Sequence, residues 1–516
     1  MQINSVTKQT LILWSVIGLA LLGSFNLGSW IGESNDPAFA IMTNLLTGAL
    51  ALWAFANPRN GLYIVLFQAM FSDEYKRIVV IQGNASRELV ITVLIAPLIS
   101  ICVIHLSIFL RSVVFRTMKV EPWYWYFEGV IGLITVGMLV FGEGDFASMS
   151  QFAANVGLYL SLLPLIALLL PTMKEWRKYL GMQVLCVFPS ALWGIKQYYL
   201  GFTKLEWDYA MTGLSPVHYI SMVTGGDHAR IFGFLGSAAA FGCISMYGTY
   251  ALWQSFAGRE HRFLYLVAGV VMMIAVVLST QRSMMLIPFI ILISYFLMLS
   301  PIRTGAFYIM LVVLLIIGVL SSQWMLDVGL DRINEFIRFD SDWGARVLRV
   351  DTFSDRLRGW TNFLEPSTWS LFGTGASSAE EYNEKGGHDL VNKMLIKVGV
   401  AGLLPMLLLI VAVLVLLHRI VWRAPSVHLK KEGAFLLACF VPLLVMNIMG
   451  GGNLNTTPSN LQMWSMLAGI LVFRKQYGIR PWESNQLFLK TLRRKVERSR
   501  HSTEVPRHMV NHDIPQ

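Results

Sequence analysis

Charge is scarce in this sequence. Asp, Glu, Lys and Arg make up 14% of its 516 residues, whereas 55% are hydrophobic and the mean hydropathy is +0.56. A soluble domain cannot bury that much apolar surface in one core. The shortage of charge therefore excludes a soluble enzyme and predicts an all-α polytopic membrane protein. A barrel is excluded as well, because it would need short alternating segments instead of long apolar runs.

Cysteine is almost absent, and internal repeats are not evident. The four cysteines all lie inside apolar runs, with no pairing pattern and no metal-ligand spacing: Cys102, Cys186, Cys243 and Cys439. They exclude a disulfide framework or a zinc scaffold and are expected to behave as small hydrophobic residues. Without a repeat, the inverted-repeat signature of many secondary transporters is missing.

Long apolar runs recur from one end of the chain to the other. A run of about 20 residues crosses a bilayer as a helix, and we count about 14 runs, with about 12 as the lower limit. The third run is interrupted by Ser72 to Arg77, so we expect it to end early, bend or re-enter. The predicted spans are roughly 10–32, 38–56, 60–71, 89–110, 123–142, 148–170, 180–200, 230–256, 263–280, 284–299, 305–323, 394–418, 433–450 and 459–473.

The short basic loops predict the orientation, because Lys and Arg accumulate on the cytoplasmic side. Placing both termini in the cytoplasm also places most basic loops there, and the exception is Ser72 to Arg77. The chain then divides into helices over 1–323, a large extracytoplasmic loop over 324–393, the last helices over 394–473 and a basic tail over 474–516. That tail is expected to rest on anionic lipid of the bilayer, and nucleic-acid binding is not expected.

Several arginines fall on the outer face, where the positive-inside rule does not account for them. Arg230 and Arg282 stand at the outer ends of predicted spans, and Arg356 and Arg358 lie in the large loop. A guanidinium suits phosphate or carboxylate, so these arginines can surround a diphosphate. Snorkelling towards lipid headgroups, or an amphipathic helix on the membrane, explains them equally well individually.

Other polar residues on the same face are candidate contacts for a reaction. His388, followed by Asp389, can take a proton near neutral pH, although a lone histidine often has a structural role. Trp360 can stack on a sugar or anchor the interface. Asn453 and Asn455 can meet acceptor hydroxyls or belong to a flexible turn. Asp340 and Asp342 form an Asp-x-Asp pattern that we interpret as a solvated or arginine-paired cluster, not a metal site.

The order of these motifs resembles the bacterial O-antigen ligase and polysaccharide polymerase superfamily over about 225–410. The resemblance is carried by four stretches in order: "RIFGFLGSAAAFG" from Arg230, "STQRS" around Arg282, "DRLRGWTNFLEPSTWSLFGTG" from Asp355, and "HDLVNKMLIKVGVAGLLP" from His388. It implies a GT-C-like glycosyltransferase of the inner membrane, which needs no metal or cofactor. Its donor would be an undecaprenyl-diphosphate-linked saccharide, and flippase and chain-length regulator proteins would be its partners.

The resemblance also implies roles for residues. Arg230, Arg282 and one of Arg356 and Arg358 would contact the donor diphosphate, and His388 would act as the general base. Gly373 and Gly375 match the glycine pair that shapes the loop. This sequence has His-Asp where the family often has His-Asn. The implied reaction is one in-line displacement with inversion, which extends a surface polysaccharide.

Three alternatives remain open at the level of sequence. A ligase would transfer the finished glycan to a lipid A-core acceptor; we favour a polymerase because the loops lack a further cationic groove. A transporter of lipid-linked saccharide would bind without making a bond, but it needs charges along a transbilayer cavity, and the apolar runs contain few. A purely structural membrane partner would leave His388 without a role.

Overall fold

The described part of the protein is helical, with no strand. The structure is a computed structural model, and it describes residues 37–83, 87–141, 156–211, 231–235, 241, 243–257, 261–279, 282–299, 370–372, 390–448 and 458–479. The helices are α1 (Pro37–Ala56), α2 (Pro58–Gly83), α3 (Arg87–Phe109), α4 (Pro122–Phe141), α5 (Leu162–Leu169), α6 (Met173–Leu200), α7 (Lys204–Met211), α8 (Cys243–Phe256), α9 (Arg262–Leu278), α10 (Arg282–Leu299), α11 (Leu390–Trp422), α12 (Val427–Ile448) and α13 (Ser459–Tyr477). The predicted all-α class is confirmed for these residues.

The apolar helices indicate a membrane protein. Within the described ranges, three helical stretches are long and apolar enough to cross a membrane: Thr92–Val114, Pro122–Val140 and Met394–Trp422. Shorter apolar stretches are Ala40–Ala56, Val156–Leu169, Arg262–Leu278 and Met284–Leu299. The predicted runs 10–32 and 305–323 lie outside the described residues. So does the predicted loop 324–393, apart from Ser370–Phe372 and its last four residues, which belong to α11.

Helix α13 forms the centre of the bundle. Every residue from Ser459 to Phe473 is buried, and the helix packs against α5, α6, α11 and α12. Gly469 lies directly under the ring of Trp176, where an added Cβ would collide with the indole. The Trp176 Nε1–H donates to the Ser465 carbonyl at 2.8 Å. Small and apolar residues on α13 thus let large side chains of neighbouring helices approach its backbone closely.

Two predictions about the spans are wrong. The charged stretch Ser72 to Arg77 does not interrupt a helix, because α2 continues through it to Gly83. Its charges pair within the helix, Lys76 with Asp73 at 2.9 Å and Arg77 with Glu74 at 2.6 Å. The predicted span 230–256, by contrast, does not begin as a helix: Ile231–Leu235 is non-helical and α8 begins at Cys243.

One end of the bundle, which we call the basic end, is joined by charged and polar contacts between helix termini. Arg59 at the start of α2 pairs with Glu175 at the start of α6 (2.6 Å). The Arg177 guanidinium donates side-on to Glu432 at the start of α12, through Nε (2.8 Å) and Nη2 (2.6 Å). The same end holds α13 through the Met173 N–H, which donates to Gln476 Oε1 at 2.8 Å.

The opposite termini of these helices meet at the other end, which we call the distal end. A helix advances about 1.5 Å per residue, so the last residues of α2 and α6 lie about 40 Å from the basic end. The start of α11 lies there too, because its last turn contacts α12 through Lys430, whose Nζ is 3.5 Å from the Trp422 ring centroid. Near the start of α8, the Ser245 hydroxyl donates to the Met284 carbonyl at 2.8 Å, which brings the start of α10 alongside.

The Arg177–Glu432 pair should stabilise the bundle more than the Arg59–Glu175 pair. Glu432 is only 2% exposed, and its replacement by Gln leaves a half-buried guanidinium without its counter-charge, whereas Arg59 is 51% exposed. We expect Glu432→Gln to lower the free energy of unfolding by about 1–3 kcal/mol, and Arg59→Gln by less than about 1 kcal/mol. Thermal unfolding of the purified protein, followed by tryptophan fluorescence, measures both. Equal melting temperatures for the two variants would contradict the assignment.

Candidate functional site

A non-helical segment is buried among helices near the distal end. It comprises Ile231–Leu235, which the structure describes between α7 and α8, and four of its five residues are buried. Gly233 adopts φ +58°, a conformation that side chains other than glycine rarely take. A Cβ at this position would also collide with the hydroxyl and carbonyl of Ser190. Gly233 therefore permits both the turn and its close contact with α6.

Side chains of α6 satisfy the amide groups of this segment. Gln197 Oε1 accepts hydrogen bonds from the N–H groups of Phe232 (3.0 Å) and Gly233 (2.9 Å). Ser190 Oγ accepts from the Phe234 N–H at 3.0 Å. Away from water, each unsatisfied backbone group costs several kcal/mol, so irregular backbone inside a membrane protein requires such partners.

Arg77 of α2 satisfies the carbonyl groups. Its Nη1 donates to the Gly233 carbonyl at 3.1 Å and its Nη2 donates to the Leu235 carbonyl. The side chain is fully buried, and its guanidinium carbon lies 4.5 Å from the Phe232 ring centroid. Glu74 supplies the counter-charge at 2.6 Å. The planar fork of arginine binds two carbonyls at once, which a lysine ammonium cannot reproduce in the same geometry.

A buried carboxylate, Glu206, holds Gln197 in place. Its Oε1 accepts from Trp193 Nε1 at 2.8 Å and from Gln197 Nε2. Its Oε2 accepts from the Thr203 N–H (2.5 Å) and hydroxyl (2.8 Å). Thr203 and Glu206 form a capping box at the start of α7, because the Glu206 N–H also bonds to Thr203 Oγ1 (3.4 Å). Glu206, Gln197 and Arg77 together form what we call the clamp on the segment.

Sequence reasoning missed all three residues of the clamp. The Thr-x-x-Glu spacing of "TKLE" was a readable helix-start signal, but nothing local indicates that its carboxylate also binds Gln197. The charges of Ser72 to Arg77 were noticed and interpreted as a break. The charges pair with one another within α2, but the backbone carbonyl that Arg77 also binds lies far away in sequence: Gly233 is 156 residues from Arg77.

A second irregular segment docks on α11. Gly399 interrupts the helix with φ 62° and ψ −166°, which breaks the local hydrogen-bond ladder. The Val400 N–H donates to the Ser370 carbonyl and the Ala401 N–H to the Leu371 carbonyl, each at 3.0 Å. A Cβ on Gly399 would collide with the backbone of Leu371 and Phe372. A short stretch inside the predicted large loop, Ser370 and Leu371, is thus fixed to α11 by main-chain bonds.

The sequence-predicted site residues adjoin these described elements. Arg230 directly precedes the clamped segment, Arg282 is the first residue of α10, Gly373 directly follows Phe372, and His388 stands two residues before α11. Apart from the backbone of Arg282, these residues lie outside the described ranges, and their roles stay predictions. The same holds for Arg356, Arg358, Trp360, Gly375, Asn453, Asn455, Asp340 and Asp342. The four adjoining elements all belong to the distal half of the bundle.

The described ranges contain no group of three or more His, Cys, Asp or Glu side chains that could hold a metal ion. The four cysteines lie in helices α3, α6, α8 and α12 as free thiols. The polar chemistry of the clamp consists of hydrogen-bonded arginine, glutamate and amide groups.

Comparison with family models, with curated proteins and with solved structures gave no match. The family resemblance thus rests on the sequence motifs alone. It stays a prediction, and the clamp and the docked segment are the structural observations that bear on it.

Replacing Gly399 should release the docked segment. Gly399→Ala places a methyl group against the loop backbone and strains a positive φ, at a cost of about 1–3 kcal/mol. We expect faster hydrogen exchange at the Val400 and Ala401 amides, measured by mass spectrometry of the intact protein. Gly132→Ala on α4 is the matched control, because its added methyl group meets no atom within 4 Å. Unchanged exchange in Gly399→Ala would show that the docking does not depend on glycine.

Proposed function

We propose that this chain is a metal-independent, inverting glycosyltransferase of the bacterial inner membrane that polymerises undecaprenyl-diphosphate-linked oligosaccharide units. It would cross the membrane about 14 times. The observation that most supports this function is the clamp, which fixes Ile231–Leu235 immediately after Arg230. A charged residue that binds diphosphate needs a fixed backbone, because catalysis by charge stabilisation depends on donors that are already in place.

The distribution of charge supports an outer location for this site. Among the described residues, the helix ends and turns at the basic end carry an excess of Lys and Arg: Arg59, Arg111, Arg116, Lys119, Lys174, Arg177, Lys178, Arg262, Arg419, Arg423, Lys430, Lys431, Arg474 and Lys475. By the positive-inside rule that end faces the cytoplasm. The distal end, with the clamp, then faces outward, where lipid-linked saccharides are assembled into surface glycans, and both termini are cytoplasmic.

A second feature of the distal end favours binding of an anion. Arg282 is the first residue of α10, an 18-residue helix, so it stands at the positive end of the helix dipole. A lipid diphosphate presents the complementary negative charge. Arg282 and Arg230, with Arg356 or Arg358 from the loop, would stabilise charge developing on the leaving diphosphate, at about 3 kcal/mol for each well-placed donor.

The reaction would be a single displacement at the anomeric carbon of the donor sugar. A hydroxyl oxygen of the acceptor glycan attacks that carbon, the bond to the diphosphate oxygen breaks, and the proton of the hydroxyl passes to His388. Docking of Ser370–Phe372 on α11 ties the loop that carries Gly373 to the helix that follows His388. The carrier lipid diphosphate leaves with the bonding electrons, and no oxidant or metal is required.

Two other functions, ligase and transporter, would use the same site. A ligase would perform the same displacement with a lipid A-core acceptor. A transporter is the second candidate, because transporters also build their binding sites from interrupted helices, and Asp73 to Arg77 lie inside α2. Binding without bond formation separates the transporter from either transferase, and the product formed with each acceptor separates polymerase from ligase.

The test is transfer by the purified protein from undecaprenyl-diphosphate-linked saccharide extracted from the source cells, in EDTA. We expect wild type to make glycosidic bonds and His388→Ala to lose about a hundredfold or more of the rate while still binding donor. His428→Ala, an exposed histidine at the basic end, is the control and should keep full activity.

Donor binding without any new glycosidic bond, even after divalent metal is restored, would contradict the transferase and favour the transporter. Restoration of activity only by metal would instead point to Asp340 and Asp342. Equal losses in His388→Ala and His428→Ala would remove His388 from the role of base.

A further inference from the structure

An aromatic layer leads from the protein surface to the clamp. Trp207 of α7 packs edge-on against Phe202, with ring centroids 5.5 Å apart. Phe202 in turn stacks on Phe232 of the clamped segment at 5.2 Å and 27°. Phe232 lies against the Arg77 guanidinium. Trp207 therefore connects the exposed surface of α7 with the segment that follows Arg230.

Helix α7, which carries Trp207, is held in a fixed position. The capping box of Thr203 and Glu206 fixes the start of the helix, and Tyr209 is buried where α7 packs on α2. The exposed face of α7 carries Lys204, Trp207 and Asp208. An indole that is held in this way loses little conformational freedom when a ligand covers it, which favours binding.

The surroundings of Trp207 differ from those of the aromatic residues at the end of α6. Tyr198, Tyr199 and Leu200 are 43%, 70% and 78% exposed, and the nearby charge of Lys196 is engaged by a hydrogen bond from its Nζ to the Gly201 carbonyl at 3.0 Å. Such exposed aromatic and apolar side chains are expected at a lipid interface. Trp207 instead shares a short helix with two exposed charges, Lys204 one turn before it and Asp208 next to it in sequence. A flat ring with a cation and a carboxylate on the same helix matches a pyranose, whose apolar face covers the ring while its hydroxyls reach donors and acceptors.

We propose that Trp207, Lys204 and Asp208 form the subsite that holds the acceptor saccharide, beside the clamped segment. This inference rests on the proposed transferase function and adds the position of the second substrate. The Trp207 ring carries a sugar face, Asp208 accepts from sugar hydroxyls, and Lys204 donates to them. The stack of Phe202 on Phe232 fixes the position of Trp207 relative to the clamped segment, which follows Arg230.

The test separates acceptor from donor in steady-state kinetics. Trp207→Ala should raise the KM for the acceptor glycan about tenfold, the size expected when one ring contact is lost, with the donor KM unchanged. Trp207→Phe should restore most of the affinity. Tyr199→Ala, on the adjacent lipid-facing patch, is the matched control and should leave both constants unchanged.

An unchanged acceptor KM in Trp207→Ala would overturn the proposal. Equal effects of Trp207→Ala and Tyr199→Ala would overturn it too, since both residues would then act as membrane anchors.

A binding experiment keeps this inference distinct from the proposed function. Saturation-transfer NMR with defined gluco-, galacto-, manno- and rhamno-configured tetrasaccharides measures sugar contact without requiring a reaction. The protein is held in lipid nanodiscs, because glycoside detergents would compete for the ring. Binding that is lost in Trp207→Ala and kept in Tyr199→Ala supports the subsite even if wild type transfers nothing, whereas no sugar contact in wild type overturns it.

Discussion

The hydrogen bonds from Arg77 to the Gly233 and Leu235 carbonyls are the interaction on which the distal end depends. Irregular backbone among apolar helices is stable only if its polar groups find partners there. Arg77 supplies donors for the carbonyls, while Gln197 and Ser190 supply acceptors for the amides. Removing one partner leaves a buried backbone group unsatisfied, so these side chains stabilise the segment as a unit.

The same physical requirement is met differently at the second irregular segment. At Gly399 the freed amides of α11 bond to main-chain carbonyls of Ser370 and Leu371. Both places depend on a glycine at positive φ, Gly233 in the clamped segment and Gly399 in α11, where a Cβ would collide with a neighbour. A non-helical segment and an interrupted helix thereby fix backbone beside two sequence motifs, next to Arg230 in one case and Gly373 in the other.

The sequence predicted the helices well and their interruptions poorly. Apolar length alone indicated several helices to within a few residues, for instance α9 and α10, because burial in a bilayer depends on local composition. The prediction that Ser72 to Arg77 interrupts a helix was wrong, because a charge inside an apolar run costs little once it has a partner, and these charges pair with one another within α2. The backbone carbonyl of Gly233 that Arg77 also binds is 156 residues away, so nothing in the sequence indicated it. Likewise "IFGFL", Ile231 to Leu235, has the composition of a span, and its non-helical course follows from contacts with α2 and α6.

Some residues of the candidate site could be predicted from the sequence, and others could not. Motif order indicated Arg230, Arg282 and His388, which stand beside described elements, but it gave no indication of Gln197, Glu206 or Trp207. Those residues act through packing and through hydrogen bonds to other elements. A capping box and a tryptophan are common enough in sequences that neither predicts a binding surface until the neighbouring helices are in place.

The most direct test of the clamp is the affinity for undecaprenyl diphosphate of Arg77→Lys compared with Arg59→Lys, both as folded protein in nanodiscs. The account predicts that Arg77→Lys weakens binding about tenfold, because one ammonium cannot hold both carbonyls and the backbone after Arg230 relaxes. Arg59→Lys, at the basic end, should bind as wild type does. Equal affinity in wild type and both variants would contradict the claim that the clamp organises the diphosphate site.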